Sequence, residues 1–146
     1  MPERSGTVLA FDFGAKRIGV AIGETLLGSA RPLLSIVAED KATRFARIAE
    51  LIATWQPQSL ALGLPLNSDG SDSPMSTRCR HFARQLATRF GLPVHLVDER
   101  YSSVEAEARL AALGHDWRAC KEEVDAAAAA IILQDYFDGE THRRAA

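Results

Sequence analysis

The stretch Val8-Leu9-Ala10-Phe11-Asp12-Phe13-Gly14-Ala15-Lys16-Arg17-Ile18-Gly19-Val20-Ala21-Ile22 limits the possible folds of this chain more than any other. It reads as two apolar strands with an acid at their junction. The first run is apolar at odd and even positions alike, which suits a central strand covered on both faces, and Asp12 falls where that run stops. Gly14-Ala15-Lys16 can then return the chain, with glycine allowing unusual backbone angles or a close approach of phosphate or a metal-bound oxygen to the main chain. An ionised carboxylate left unpaired against apolar strands costs several kcal/mol, so Asp12 needs a cation, donated N–H groups or a metal ion. An Asx-type turn is the plainer alternative.

With 146 residues, 47% of them apolar, the chain is expected to form a single domain over 1–146, with a core over about 8–137 and short tails, the last being 139–146. No apolar run approaches the length of a membrane span, and Met1-Pro2-Glu3-Arg4-Ser5-Gly6 lacks the apolar segment of a secretion signal, so a cytoplasmic protein without membrane partners is expected. Cys79 and Cys120 stand far apart without ligand-spaced companions, which indicates neither a zinc site nor a disulfide framework. A net charge of −2 argues against coating nucleic acid through bulk positive charge. Arginine makes up 14 of the 17 basic residues; it suits forked phosphate contacts, although a GC-rich genome produces the same bias.

After the opening hairpin, 28–37 reads as a weaker strand in which Pro32 is tolerated near the start or on an edge, completing a three-stranded meander. Phe45, Ile48, Ala49, Ile52 and Trp55 make one apolar helical stripe over 41–55, closed by Pro57. Ser59 to Leu64 is another apolar strand. The polar loop Pro65–Pro74 follows its carboxyl end, where ligand contacts gather in parallel sheets; a solvated connector is the alternative. Met75, Cys79, Phe82, Leu86 and Phe90 form a second helical stripe, with Arg80 and Arg84 opposite it and Arg78 and Arg89 on its flanks. Such arginines are ordinary on a solvated face.

A short strand, Val94 to Val97, runs into Asp98-Glu99-Arg100. Neighbouring strand residues point to opposite faces, so Asp98 and Glu99 share a site only if the strand ends between them. His95 reads as a structural histidine. Ser102-Ser103-Val104-Glu105 resembles a capping box opening a helix to about Leu113. The last helix is expected over 121–137, with fraying from Gly139. One of its stripes holds Asp125, Ala128, Ala129, Ile132 and Tyr136, and its small alanines allow close approach to the sheet. Asp125 can then reach the strand ends, or serve structurally at the helix N-terminus or with Lys121.

Asp12, Glu99 and Asp125 thus come from two strand ends and a helix facing the sheet. Three acids without a histidine or cysteine cluster make a hard oxygen site suited to Mg²⁺ or Mn²⁺ rather than zinc. Two such ions held about 4 Å apart activate water and stabilise the leaving oxygen of a phosphodiester without a protein nucleophile. A glycosidase needs only two acids, and nothing else here resembles a sugar cleft.

Four motifs in order now carry a resemblance: Phe11-Asp12-Phe13-Gly14 with Arg17-Ile18-Gly19-Val20-Ala21; Gly63-Leu64-Pro65 with Asn67 and Asp69-Gly70; Asp98-Glu99-Arg100 with Ser102-Ser103; and Lys121 with Asp125-Ala126-Ala127. Together, from about Val8 to Phe137, they resemble the small bacterial Holliday-junction-resolvase-like proteins, also described as pre-16S rRNA nucleases. The resemblance implies a ribonuclease H-like α/β fold: a five-stranded mixed sheet, antiparallel meander first and parallel strands after, with helices on both faces. It further implies a nuclease with Asp12, Glu99 and Asp125 as catalytic acids and metal ligands. Its substrate would be the 5′ end of pre-16S rRNA in ribosome biogenesis, with the pre-30S particle as a partner. Beside these acids Lys121 and Arg100 are expected near the scissile phosphate, Arg17 on backbone phosphate, and Asn67 shaping the groove.

Three other readings compete. An Asp-x-Gly between strands also occurs in actin-like and sugar-kinase ATPases, but those close two such domains on ATP. A non-catalytic RNA-binding or transcription-associated factor could keep the fold, yet three phosphate-facing acids would repel its ligand unless a metal were bound. Branched DNA is an alternative substrate, since no aromatic platform or 2′-hydroxyl reader is evident.

Overall fold

The computed structural model describes residues 6–38, 40–99 and 121–145. The helix expected over 104–113, Arg100 and the side chain of Lys121 lie outside what is described. Strands β1 (Thr7–Phe13), β2 (Arg17–Glu24) and β3 (Ser29–Val37) form the antiparallel meander, and β4 (Ser59–Leu64) and β5 (Val94–Asp98) add parallel to β1 in the order β3-β2-β1-β4-β5. This is the mixed sheet that the resemblance implies. Pro32 lies in the edge strand, where the β2–β3 register slips between Val20 and Ala21, so its missing N–H interrupts no central ladder.

The double-sided apolar pattern of β1 has the expected outcome: Val8, Leu9, Ala10 and Phe11 are all buried, and they alternate between two cores. Leu9 and Phe11 join Ile18, Val20, Leu60 and Leu62 beneath helices α1 (Lys41–Trp55) and α2 (Pro74–Phe90). Val8 and Ala10 join Ala21 and Ala61 beneath helix α3 (Lys121–Ala145). The side facing α3 is built of small residues, so α3 lies close. Added Cβ atoms on Gly19, Gly23 and Gly63 would run into the Asp125 carbonyl, the Phe137 ring and the Ile132 side chain respectively.

Local signals set the helix ends. Asp40 caps α1 by accepting from the Thr43 N–H at 2.8 Å. Gln56, not Pro57 alone, stops that helix: it adopts a left-handed conformation at φ 47° and returns its N–H to the Ile52 carbonyl. Ser73 and Ser76 form a reciprocal capping box, and Pro74, expected in the loop, occupies the first turn of α2, where no N–H is needed. Gly139 does not fray α3, which continues to Ala145 rather than ending at Phe137. One helical glycine costs about 1 kcal/mol, which a helix of this length absorbs. Nor is α3 buried along a single stripe, for every residue from Ala126 to Leu133 is buried. Among the described residues no helix is long and apolar enough to cross a membrane.

Candidate active site

The carboxyl ends of β1, β4 and β5 lie side by side, and three of the expected residues, Asp12, Asn67 and Glu99, sit at or just beyond them. Asp12 belongs to the same face of β1 as Val8 and Ala10, the face that α3 covers. Its cross-strand partner is Gly19, and the partner of Gly19 on β3 is Ser35, so one row across three strands reads Asp12, Gly19, Ser35. The first turns of α3 rest on the gap left by Gly19, which seats the Asp125 main chain directly over that row. Ser35 Oγ then donates to Asp125 Oδ2 at 3.2 Å, and Arg17 Nε donates to the same oxygen at 2.6 Å.

The result is a cleft of about 220 Å³ lined by Asp12, Phe13, the Gly14–Lys16 turn, Arg17 and Asp125. Asp12 is partly buried at its base, and its carboxyl is pushed up from 3.8 to about 7, first by burial and then by the Asp125 charge. Two carboxylates that share a desolvated cleft repel one another, and an added cation relieves both causes. Arg17 meets this need on the Asp125 side only. Its Nη2 is buried without a hydrogen-bond partner among the described residues. A buried guanidinium N–H left unmatched is costly.

Glu99 follows the last residue of β5, so the strand does end between Asp98 and Glu99, as a shared site requires. The Glu99 N–H donates to the Leu64 carbonyl at 3.2 Å, and its carboxylate lies over Gly63, on the face that α3 covers. Cys79, buried in α2, reports on both strand-end acids: burial raises its thiol to about 12, with Glu99 and then Asp12 adding to the effect. All three acids therefore belong to one end of the sheet. Among the described residues, however, no three His, Cys, Asp or Glu side chains converge closely enough to hold a metal ion. The donor chemistry fits a hard cation, and the Asp12–Asp125 repulsion is what such an ion would relieve.

The remaining expected residues divide. Asn67 holds its own loop in shape, donating from Nδ2 to Ser71 Oγ and to the Asp72 carbonyl. Gly70 supplies the turn at φ 88°, and Asp69 accepts from the Ser71 N–H and hydroxyl. Lys121 opens α3, one turn before Asp125. Ser35 and Gly19 join the site without belonging to the expected set of site residues. The alternation Gly19-x-Ala21-x-Gly23, matched by Ala61-x-Gly63, was the available signal that a helix lies close on this face.

Comparison with known proteins bears on the family and the fold. A family model described as "RuvX: Holliday junction resolvase" matches residues 6–139. A protein of Dechloromonas aromatica is 51% identical over 137 residues, covering 94% of both chains, and one of Methylobacillus flagellatus is 54% identical over 143 residues, covering 95% of this chain and 98% of its own. Both bear the name "Putative pre-16S rRNA nuclease". Among solved structures, Thermus thermophilus RuvC in complex with a Holliday junction substrate aligns with a TM-score of 0.54 at 19% identity, over 92% of this chain and 96% of its own. The fowlpox virus resolvase with its Holliday junction DNA gives 0.57 at 13% identity, over 92% of this chain and 98% of its own. At such identities these two structures establish the fold alone.

Proposed function

The chain belongs to the RuvX family of Holliday junction resolvases, and from that premise we propose that it is a metal-dependent nuclease that trims the 5′ end of pre-16S rRNA. The observation that carries this reading is one cleft at the strand ends lined by two carboxylates, Asp12 at the tip of β1 and Asp125 held over it by Arg17 and Ser35. Two such carboxylates repel each other, and a divalent cation bound with a phosphodiester would relieve that repulsion.

In this reading Asp12, Asp125 and Glu99 would hold Mg²⁺ or Mn²⁺ once their side chains draw together, since among the described residues no three converge closely enough as they stand. When bound, the ion eases ionisation of a water and offsets charge that builds on the phosphate. Arg17 has two tasks. Its Nε fixes Asp125, and its guanidinium, which lines the cleft, takes a phosphate oxygen of the substrate. Ser35 holds Asp125 from the other strand and is a positioning residue. Arg100 and Lys121 are assigned to the flanks of the scissile phosphate, while the loop braced by Asn67 forms one wall of the groove. The protein works in the cytoplasm, on RNA alone or within the pre-30S particle.

The test uses a 16S precursor carrying its 5′ leader, alongside a four-way DNA junction, each with Mg²⁺, Mn²⁺ or EDTA. Metal-dependent cleavage of the precursor is the expected result. Cleavage of the junction alone would keep the site and transfer the assignment to branched DNA. If RNA binds and neither substrate is cut, the protein is a binding factor on a nuclease fold.

A further inference from the structure

Behind the acid-lined cleft, on the opposite face of the sheet, α1 and α2 enclose a second and larger cleft of about 390 Å³. Lys41 and Arg44 line it from α1, Arg78 and His81 from α2, and Phe13 and Phe82 form its floor. No acid stands among the described residues that line it. For a chain of net charge −2 this is a strong local concentration of positive charge, and it adjoins the candidate site through one residue. Asp12 and Phe13 are neighbours at the tip of β1 and point to opposite faces, so Phe13 borders both clefts.

The aromatic floor decides what the cleft can read. The Arg44 and Arg78 guanidinium groups lie over the Phe13 ring at 5.4 and 5.8 Å from its centroid, so that ring is covered by cations and offers no platform for a base. Its role is to orient the arginines. Arg44 is anchored further, for its Nη2 donates to the Ala15 carbonyl at 2.6 Å and to the Ala38 carbonyl at 3.3 Å. Ala15 belongs to the turn that edges the acidic cleft, so the same arginine braces that turn. Pre-oriented guanidinium groups and a lysine, in a cleft with no acid among its described lining residues although the α1 cap Asp40 lies near Arg44, suit phosphate oxygens, which lack sequence information.

Resting on the nuclease reading for its substrate, we propose that the α1–α2 cleft binds the phosphodiester backbone of the RNA strand that leads into the candidate site. The strand would pass over the tip of β1 at Phe13, with flanking phosphates held by Lys41, Arg44 and Arg78 and the scissile one on the acidic side. The sugar-phosphate backbone is what this cleft recognises, so it supplies affinity and register while the acids supply chemistry.

The test is the salt dependence of binding of a fluorescent single-stranded RNA in EDTA, compared between the wild type, the Lys41→Ala/Arg78→Ala double variant and an Arg47→Ala/Arg84→Ala control. The control removes the same charge from the same two helices outside the cleft. Neither pair touches the acids, and thermal melting checks that all variants fold. Loss of two phosphate contacts should lower the slope of log affinity against log salt by about 1.4 and weaken binding roughly tenfold at moderate salt. The control should behave as wild type. Equal affinity and slope in the cleft variant and the wild type would overturn the proposal, and so would equal losses in the cleft variant and the control, which would indicate bulk charge. A wild type that cuts nothing, paired with a selective binding loss in the cleft variant, would retain the cleft and remove the nuclease reading.

Discussion

At the scale of single residues the molecule turns on Asp12. Burial and the facing Asp125 raise its carboxyl from 3.8 to about 7, so the folded protein holds a proton there that the unfolded chain has released. Proton binding favours the folded state across that window. The stabilising contribution is complete below about pH 4 and is lost as pH rises through about 7. Replacing Asp12 with Asn removes the charge, so Asp12→Asn in EDTA should exceed the wild type in stability by roughly 2–4 kcal/mol at pH 8, with the difference vanishing below pH 4. Urea denaturation across that range measures it. Mg²⁺ or Mn²⁺ should raise the melting temperature of the wild type and leave that of Asp12→Asn unmoved; equal responses would remove Asp12 from the ion's ligands. The need of Asp12 for a partner was legible from an acid ending an apolar strand. The pairing of Arg17 with Asp125 was not, because 108 residues separate them and a contact so distant leaves no local spacing to read.

At the scale of elements, the site exists because α3 lies close to the sheet. Gly19 is the critical contact, since a methyl group there would collide with the main-chain carbonyl of Asp125, which has no flexible end to swing aside. Gly19→Ala should therefore cost about 1–3 kcal/mol and displace Asp125 from Ser35 and Arg17. Gly139→Ala, within α3 itself but with open space around the added methyl, should be neutral or stabilise by up to about 1 kcal/mol. Urea denaturation of the two variants checks the contrast, and equal losses would refute the contact argument. Strand and helix positions were largely legible, because β1, α1 and β4 announce themselves through burial periodicity and punctuation. Less legible was the far end of α3: Gly139 reads as a stop, but continued hydrogen bonding outweighs a single poor helix former. Burial right around α3 from Ala126 to Leu133 also escapes a single-stripe reading, since alanine suits a buried face and an exposed one equally.

For the whole molecule, the two faces of the sheet divide the labour. Small residues on one face admit α3 and form an acidic cleft; large apolar residues on the other seat α1 and α2, whose outer edges frame a basic one. Net charge conceals this division, because the acids and bases cancel in the sum while remaining apart in space. The sheet order and the gathering of Asp12, Glu99 and Asp125 at one end were legible through motif order and strand ends. Their distance from closing on a metal was not, since side-chain approach depends on packing that no spacing rule encodes. The most direct measurement is single-turnover cleavage of the leader-bearing 16S precursor at saturating Mg²⁺ or Mn²⁺ by the wild type, Asp12→Asn and Asp125→Asn. Each variant should retain RNA affinity in EDTA and lose about a thousandfold or more in rate, in line with removal of a group that acts in the transition state. Cleavage by Asp12→Asn at the wild-type rate would contradict the central claim that this carboxylate pair is the catalytic centre.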